Sequence, residues 1–189
     1  MALFGYKEWK WVCDVLGRGG QTILLRKGGI SEGKAGFRWL HPEFFLFPTY
    51  FHEQAAQLRA DRVPDLDPLP EGGEPDPVEI TLFATVAETR RLVDPADLDA
   101  LEPFHVWTRE VVEERFRWGE APGLSLALVR VHRLREPWRL ARRPSFGGCR
   151  SWLGLPEGEG LAADWRETLE PVLREEDIGR VRAALPRGT

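Results

Sequence analysis

Strand-type and helix-type hydrophobic patterns follow one another along this chain without regular alternation. That order constrains the fold more than any other feature. A doubly wound sheet needs repeated strand–helix–strand units, and irregularly mixed elements favour an α+β arrangement instead. Residues 124–134 carry the longest strand signal, with Leu126, Leu128 and Arg130 on one face and Ala127, Val129 and Val131 on the other. Residues 78–87 alternate in the same way, and residues 21–26 are short and aliphatic. Residues 37–40 and 44–47 read as two short strands hinged at Pro42, with Pro48 ending the second.

Helix signals lie between these runs. Trp9, Val12, Cys13 and Leu16 recur at helical spacing, which predicts a first helix over 6–16, stopped by Gly17, Gly19 and Gly20. Thr49, Asp94 and Thr108 stand where N-caps are expected, and Asp177 opens a tail helix that follows another over 161–169. The expected fold is therefore α+β, a small bent β-barrel or mixed sheet decorated by helices, in a single domain over 1–189. Residues 61–77 hold five prolines and six acids against Arg62, and read as an extended surface excursion outside the core.

Composition narrows the setting. The chain has 189 residues, 42% of them hydrophobic and 30% charged, enough to bury a core without a disulfide or structural metal. No segment resembles a signal peptide or membrane span, so a cytoplasmic protein with no membrane association is expected. Cys13 and Cys149 lack metal-ligand spacing and are expected to be reduced, packed thiols; no metal or cofactor is expected. Many arginines, few lysines and no asparagine suggest a GC-rich, thermophilic source.

The net charge is −4, yet residues 130–150 contain seven arginines against Glu136 alone. A polyanion would accordingly meet one face only. Arg26, Lys27, Gly28 and Gly29 place two cations beside glycines that let backbone N–H groups approach an anion; a solvated surface turn is the plainer reading. His41, Glu43, His52 and Glu53 flank an aromatic run of Phe44, Phe45, Phe47, Tyr50 and Phe51, and supply candidate acid/base groups. Hydrogen bonds to loop carbonyls explain the histidines equally well. Trp152, close to Arg142 and Arg143, is a candidate for stacking on a base. Glu32-Gly33-Lys34 with Asp14 mimics a nuclease triad, but its place in a glycine loop argues against one.

The runs QTILLRKGGI, GFRWLHPEFFLFPTYFHE and GGCRSWLGL, with EWKWVCDVL before them and EPVLREEDI after, resemble an uncharacterised bacterial family, domain of unknown function 1802. Relatives that carry a restriction-endonuclease-like domain imply a tie to DNA restriction-modification. Gly20, Thr22 and Arg26, followed by the long strand, resemble the PUA-like and ASCH barrels, although Gln21 stands where those often have lysine. That second resemblance implies binding of RNA or modified bases.

Three functions are expected from these observations, in order. The first is recognition of nucleic acid, a modified base or a phosphate-containing ligand by Arg26, Lys27, Gly28, Gly29, His41, His52, Arg142, Arg143 and Trp152. The second is a hydrolase or nuclease centred on His41, Glu43, His52 and Glu53. The third is a protein-interaction subunit whose acidic excursion docks a partner.

Overall fold

Two long strands carry the architecture, β4 (Val78–Leu92) and β5 (Leu124–Leu140), paired antiparallel along almost their whole length. The computed structural model describes residues 2–27, 37–50, 52–63, 65–119 and 121–188, and of His52 only the backbone. Around the long pair lie β1 (Leu3–Trp9), β2 (Ile23–Arg26), β3 (Glu43–Thr49), β6 (Trp152–Leu155) and the two-residue β7 (Glu170–Pro171). The sheet order is β2-β5-β4-β3-β1-β6, with β7 pairing to β5. Among the described residues only β1 and β3 run parallel; every other pair is antiparallel.

A straight strand of fifteen residues would span about 50 Å, too long for a body this small. The β4–β5 register shifts between Ile80 and Leu82, and again between Val86 and Glu88. Such bulges bend a ribbon and increase its twist. The first also reverses side-chain parity: Val78 and Ile80 join one core, whereas Leu82 and Ala84 join the other. The sheet consequently curls into a half-barrel. Arg26, at the end of β2, donates a hydrogen bond to the Lys7 carbonyl of β1, so strands far apart in sheet order meet across the curl.

The concave face holds the larger core. Helices α1 (Lys10–Gly17), α2 (Asp97–Leu101), α3 (Arg109–Arg117) and α4 (Glu175–Ala184) bury Leu16, Leu101, Val112 and Ile178 there. The convex face has a second core around Phe45, Phe47, Ile80, Phe83 and Trp138, covered by Phe146, Leu161 and Trp165. This is the expected α+β architecture with a strongly curved sheet. No helix among the described residues is long and apolar enough to cross a membrane.

Several boundaries differ from the sequence reading. The expected first helix begins only at Lys10, because Leu3 to Trp9 form a strand. Residues 37–40 are not a strand, Pro48 lies inside β3 rather than after it, and residues 163–168 form turns instead of a helix. Cys13 is buried as expected, but Cys149 is exposed. Residues 61–77 run over the surface and are nonetheless tied down. Trp11 Nε1 donates to the Asp67 carbonyl (2.8 Å), and Arg142 Nε donates to the Pro75 carbonyl (3.1 Å).

His105 connects this packing to pH. It is 4% exposed, and burial, aided by the nearby Arg59 guanidinium, pushes its pKa down to about 4 from an ordinary 6.5. The unfolded chain takes up a proton that the folded chain refuses between these values. Stability is therefore complete above about pH 6.5 and is lost as pH falls toward 4, by roughly 2–3 kcal/mol from this residue. Urea midpoints for the wild type should fall across that window, and His105→Gln should flatten the slope; parallel curves would assign the acid loss to other groups.

Candidate base-recognition site

The inward residues of β1 are Phe4, Tyr6 and Glu8, because side chains alternate along a strand. Tyr6 and Glu8 are both fully buried. A carboxylate in such a position is costly unless it is compensated. Glu8 Oε1 accepts a hydrogen bond from the Trp9 backbone N–H (2.8 Å), and Oε2 lies 3.8 Å from Arg26 Nη2. That second contact is Coulombic only, so Oε2 has no hydrogen-bond donor among the described residues.

Two guanidinium groups provide the compensating charge. Arg26 stands over the Tyr6 ring at 5.0 Å. Arg115, on α3, lies between the rings of Trp9 and Trp107, 4.9 Å from each. Such double stacking favours a cation without satisfying its N–H groups. Burial, with Arg26 adding to it, lowers the Arg115 pKa to about 10, so it stays charged at neutral pH. Burial also pushes the Tyr6 phenol up, which keeps it protonated. Arg115 Nη1, like Glu8 Oε2, has no hydrogen-bond partner among the described residues, and Tyr6 Oη makes no short hydrogen bond but is close enough to the Arg26 guanidinium to be influenced by it. One group of interacting charges thus offers a phenol, a carboxylate oxygen and a guanidinium N–H.

Aromatic rings close over this group. Tyr6 meets Trp39 at 5.3 Å, Phe44 at 5.3 Å and Trp152 at 5.1 Å, and Phe37 meets Trp39 at 4.7 Å. Trp152 belongs to β6 and is paired in register with Tyr6. Trp39 and Trp152 are half-buried and so form the rim. The Trp39 indole N–H has no acceptor among the described residues, and that of Trp152 makes only a long contact to the Arg38 carbonyl (3.4 Å). Turning the Trp39 ring outward therefore sacrifices no hydrogen bond.

The sequence-selected residues separate into several places. Arg26 and Trp152 both contact Tyr6, and His41 reaches the same cluster through the edge of Trp152 (4.9 Å). Lys27 is used elsewhere, donating to the carbonyls of Phe116 (3.1 Å) and Ala121 at the end of α3. His41 and Glu43 stand at the start of β3, while His52 and exposed Glu53 follow its far end. A seven-residue strand of about 20 Å separates the two pairs, so the four do not form one acid/base centre. Gly28, Gly29, Glu32, Gly33 and Lys34 lie outside the described residues, as does the His52 side chain.

The arginine-rich stretch is met by acids from distant parts of the chain. Arg130 pairs with Glu175, Arg139 with Glu79, Arg142 with Glu74 and Arg143 with Glu159. The local positive excess of the sequence is thereby largely matched inside the fold. Among the described residues no group of His, Cys, Asp or Glu side chains is placed to hold a metal ion.

The model of the domain of unknown function DUF1802 matches residues 5–184. The chain belongs to the DUF1802 family. No curated protein matches it. Among solved structures it is similar to ASCH from Zymomonas mobilis, at 9% identity and a TM-score of 0.48, over 98% of this chain and 97% of that one. A mutant of that protein gives 10% identity and a TM-score of 0.47, covering 95% and 94%. In this DUF1802 member Gln21 is structural: its Oε1 accepts from the Val106 N–H (3.0 Å) and its Nε2 donates to the Ile23 carbonyl (2.7 Å).

Removing the cation from a buried charge group costs more than removing both charges. Arg115→Met should destabilise the fold by about 3 kcal/mol. Added Glu8→Gln should recover about 1 kcal/mol or more of that loss in a double-mutant cycle. Strict additivity in urea denaturation would show that the two charges do not interact.

Proposed function

We propose that this protein recognises a nucleobase, presented by single-stranded or locally opened nucleic acid, at the Tyr6–Glu8–Arg26–Arg115 group beneath Trp39 and Trp152. One observation carries the reading. Glu8 Oε2 and Arg115 Nη1 are buried without hydrogen-bond partners among the described residues, in one charge group with Tyr6, whose phenol is close to the Arg26 guanidinium and whose ring lies against the partly exposed Trp39 and Trp152. An unsatisfied buried polar atom costs about 1–3 kcal/mol, so two in one group favour a ligand that satisfies them. A base edge offers N–H donors for the carboxylate and carbonyl or ring-nitrogen acceptors for the phenol and guanidinium. Its faces are suited to the indoles.

Charge supports a base rather than a bare phosphate. The carboxylate sits among the site's donors and would repel an anion, and four of the seven arginines of 130–150 are engaged with acids. The implied tie to restriction-modification fits a module that inspects a base before another domain acts on the nucleic acid. The separation of His41/Glu43 from His52/Glu53 along β3 supports this reading over a hydrolase built on all four.

Tyr6→Phe separates ligand from fold. It deletes a buried hydroxyl that makes no short hydrogen bond, so thermal stability should change by less than about 1 kcal/mol, while affinity for mixed-sequence single-stranded DNA or RNA should fall roughly ten-fold. Glu8→Gln should also weaken binding, whereas Arg142→Ala with Arg143→Ala should change it less than about three-fold. Unchanged affinity in both Tyr6→Phe and Glu8→Gln, or no binding by the wild type at low salt, would overturn the assignment.

A further inference from the structure

We propose that the cavity beside His41 is a second subsite, which takes the planar ring of the nucleotide adjoining the one held at Tyr6 and Glu8. This inference rests on the base-recognition reading. The cavity has a volume of about 250 Å³ and opens at the start of β1 and β3. Phe4, His41, Phe44 and Phe83 wall it, and Glu43 and Arg166 stand among its lining residues.

Three features point to an aromatic heterocycle. The walls are rings: Phe4 and His41 stack on each other at 3.5 Å with planes 12° apart, and the outer faces and edges left to the cavity suit a planar partner better than a branched aliphatic one. The polar groups are oriented. Arg166 donates to Glu43 Oε2 (3.1 Å) as well as to Oε1, and its guanidinium lies 4.4 Å from the Trp165 ring and 5.4 Å from that of Phe83. A carboxylate fixed in that way can accept an N–H from a base edge, and the guanidinium can donate to a carbonyl. Lastly, the cavity adjoins the first site. Phe4 precedes Tyr6 by two residues on the same face of β1, about 7 Å along the strand, and Phe44 lines the cavity while touching Tyr6 and Trp152. A single strand with splayed bases crosses such a step between neighbouring nucleotides, whereas a duplex could not enter.

The test compares binding of nucleoside monophosphates and of dinucleotides to the full chain by calorimetry. The dinucleotide should bind at least ten-fold more tightly than either of its monophosphates. Ala2→Phe, at an exposed position on the cavity rim, fills the space; Glu43→Ala removes the acceptor. Each should reduce the dinucleotide advantage to less than about two-fold and leave monophosphate affinity as it was. Circular dichroism and melting curves confirm that both variants fold, and either one alone suffices for the comparison. A dinucleotide no tighter than its monophosphates, or an advantage that survives both variants, would overturn the second subsite and leave the first standing. Absence of any Tyr6- and Glu8-dependent monophosphate binding would remove both.

Discussion

The bend in the β4–β5 ribbon is the constraint on which the other elements depend. Without the register shifts at Ile80/Leu82 and Val86/Glu88, the ribbon would present one side-chain parity to each face along its length. With them, Val78 and Ile80 face the convex core whereas Leu82 and Ala84, of the same parity, face the concave one. The curl that results brings Arg26, at the end of β2, against Lys7 and Glu8 of β1, three strands removed in the pairing order. The polar group on β1 exists because the sheet closes far enough to deliver a cation to it.

That arrangement is expensive in stability terms. Two hydrophobic side chains in place of Glu8 and Arg115 would pack as well and would avoid desolvating two charges. The surroundings show how the cost is limited: Trp9 and Trp107 hold the guanidinium by its faces, and the Trp9 N–H takes one carboxylate oxygen. Neither device satisfies Oε2 or Nη1. A group whose only task was to stabilise the fold would gain by pairing those atoms directly. A flat ligand, as proposed, would give them a third partner.

Much of the fold was legible in the sequence, and most of the site was not, for a physical reason in each case. Period-two alternation identified β4 and the first part of β5, and Thr108 marked the start of α3. The strand β1 escaped notice because Trp9, which ends it, also fits the helical period of Val12, Cys13 and Leu16. Once those residues are assigned to a helix, Tyr6 and Glu8 appear as its ordinary polar start. The parity of Phe4, Tyr6 and Glu8 within a run beginning at Leu3 was the available signal. Arg115 likewise reads as a solvated helix position until tertiary structure places two indoles around it. Arg26 and Trp152 were accessible to sequence reasoning, because a cation at a strand end and a tryptophan near arginines stand out by composition alone.

The same distinction applies to the arginines of residues 130–150. A local excess of charge in sequence predicts an exposed potential only if opposite charges are not brought to it by folding, and here Glu74, Glu79, Glu159 and Glu175 are. Exposed pairs contribute little to stability individually, but collectively they reduce the field that would draw a polyanion to that face. With long-range attraction weakened, discrimination must come from contacts made after encounter. Hydrogen bonds in a desolvated group under aromatic rings suit that role, since water competes poorly there and a wrong base leaves a buried atom unpaired. The balance of charges on the surface and the unpaired polar atoms in the interior therefore both support the proposed recognition of a base edge over attraction to the charge of a backbone.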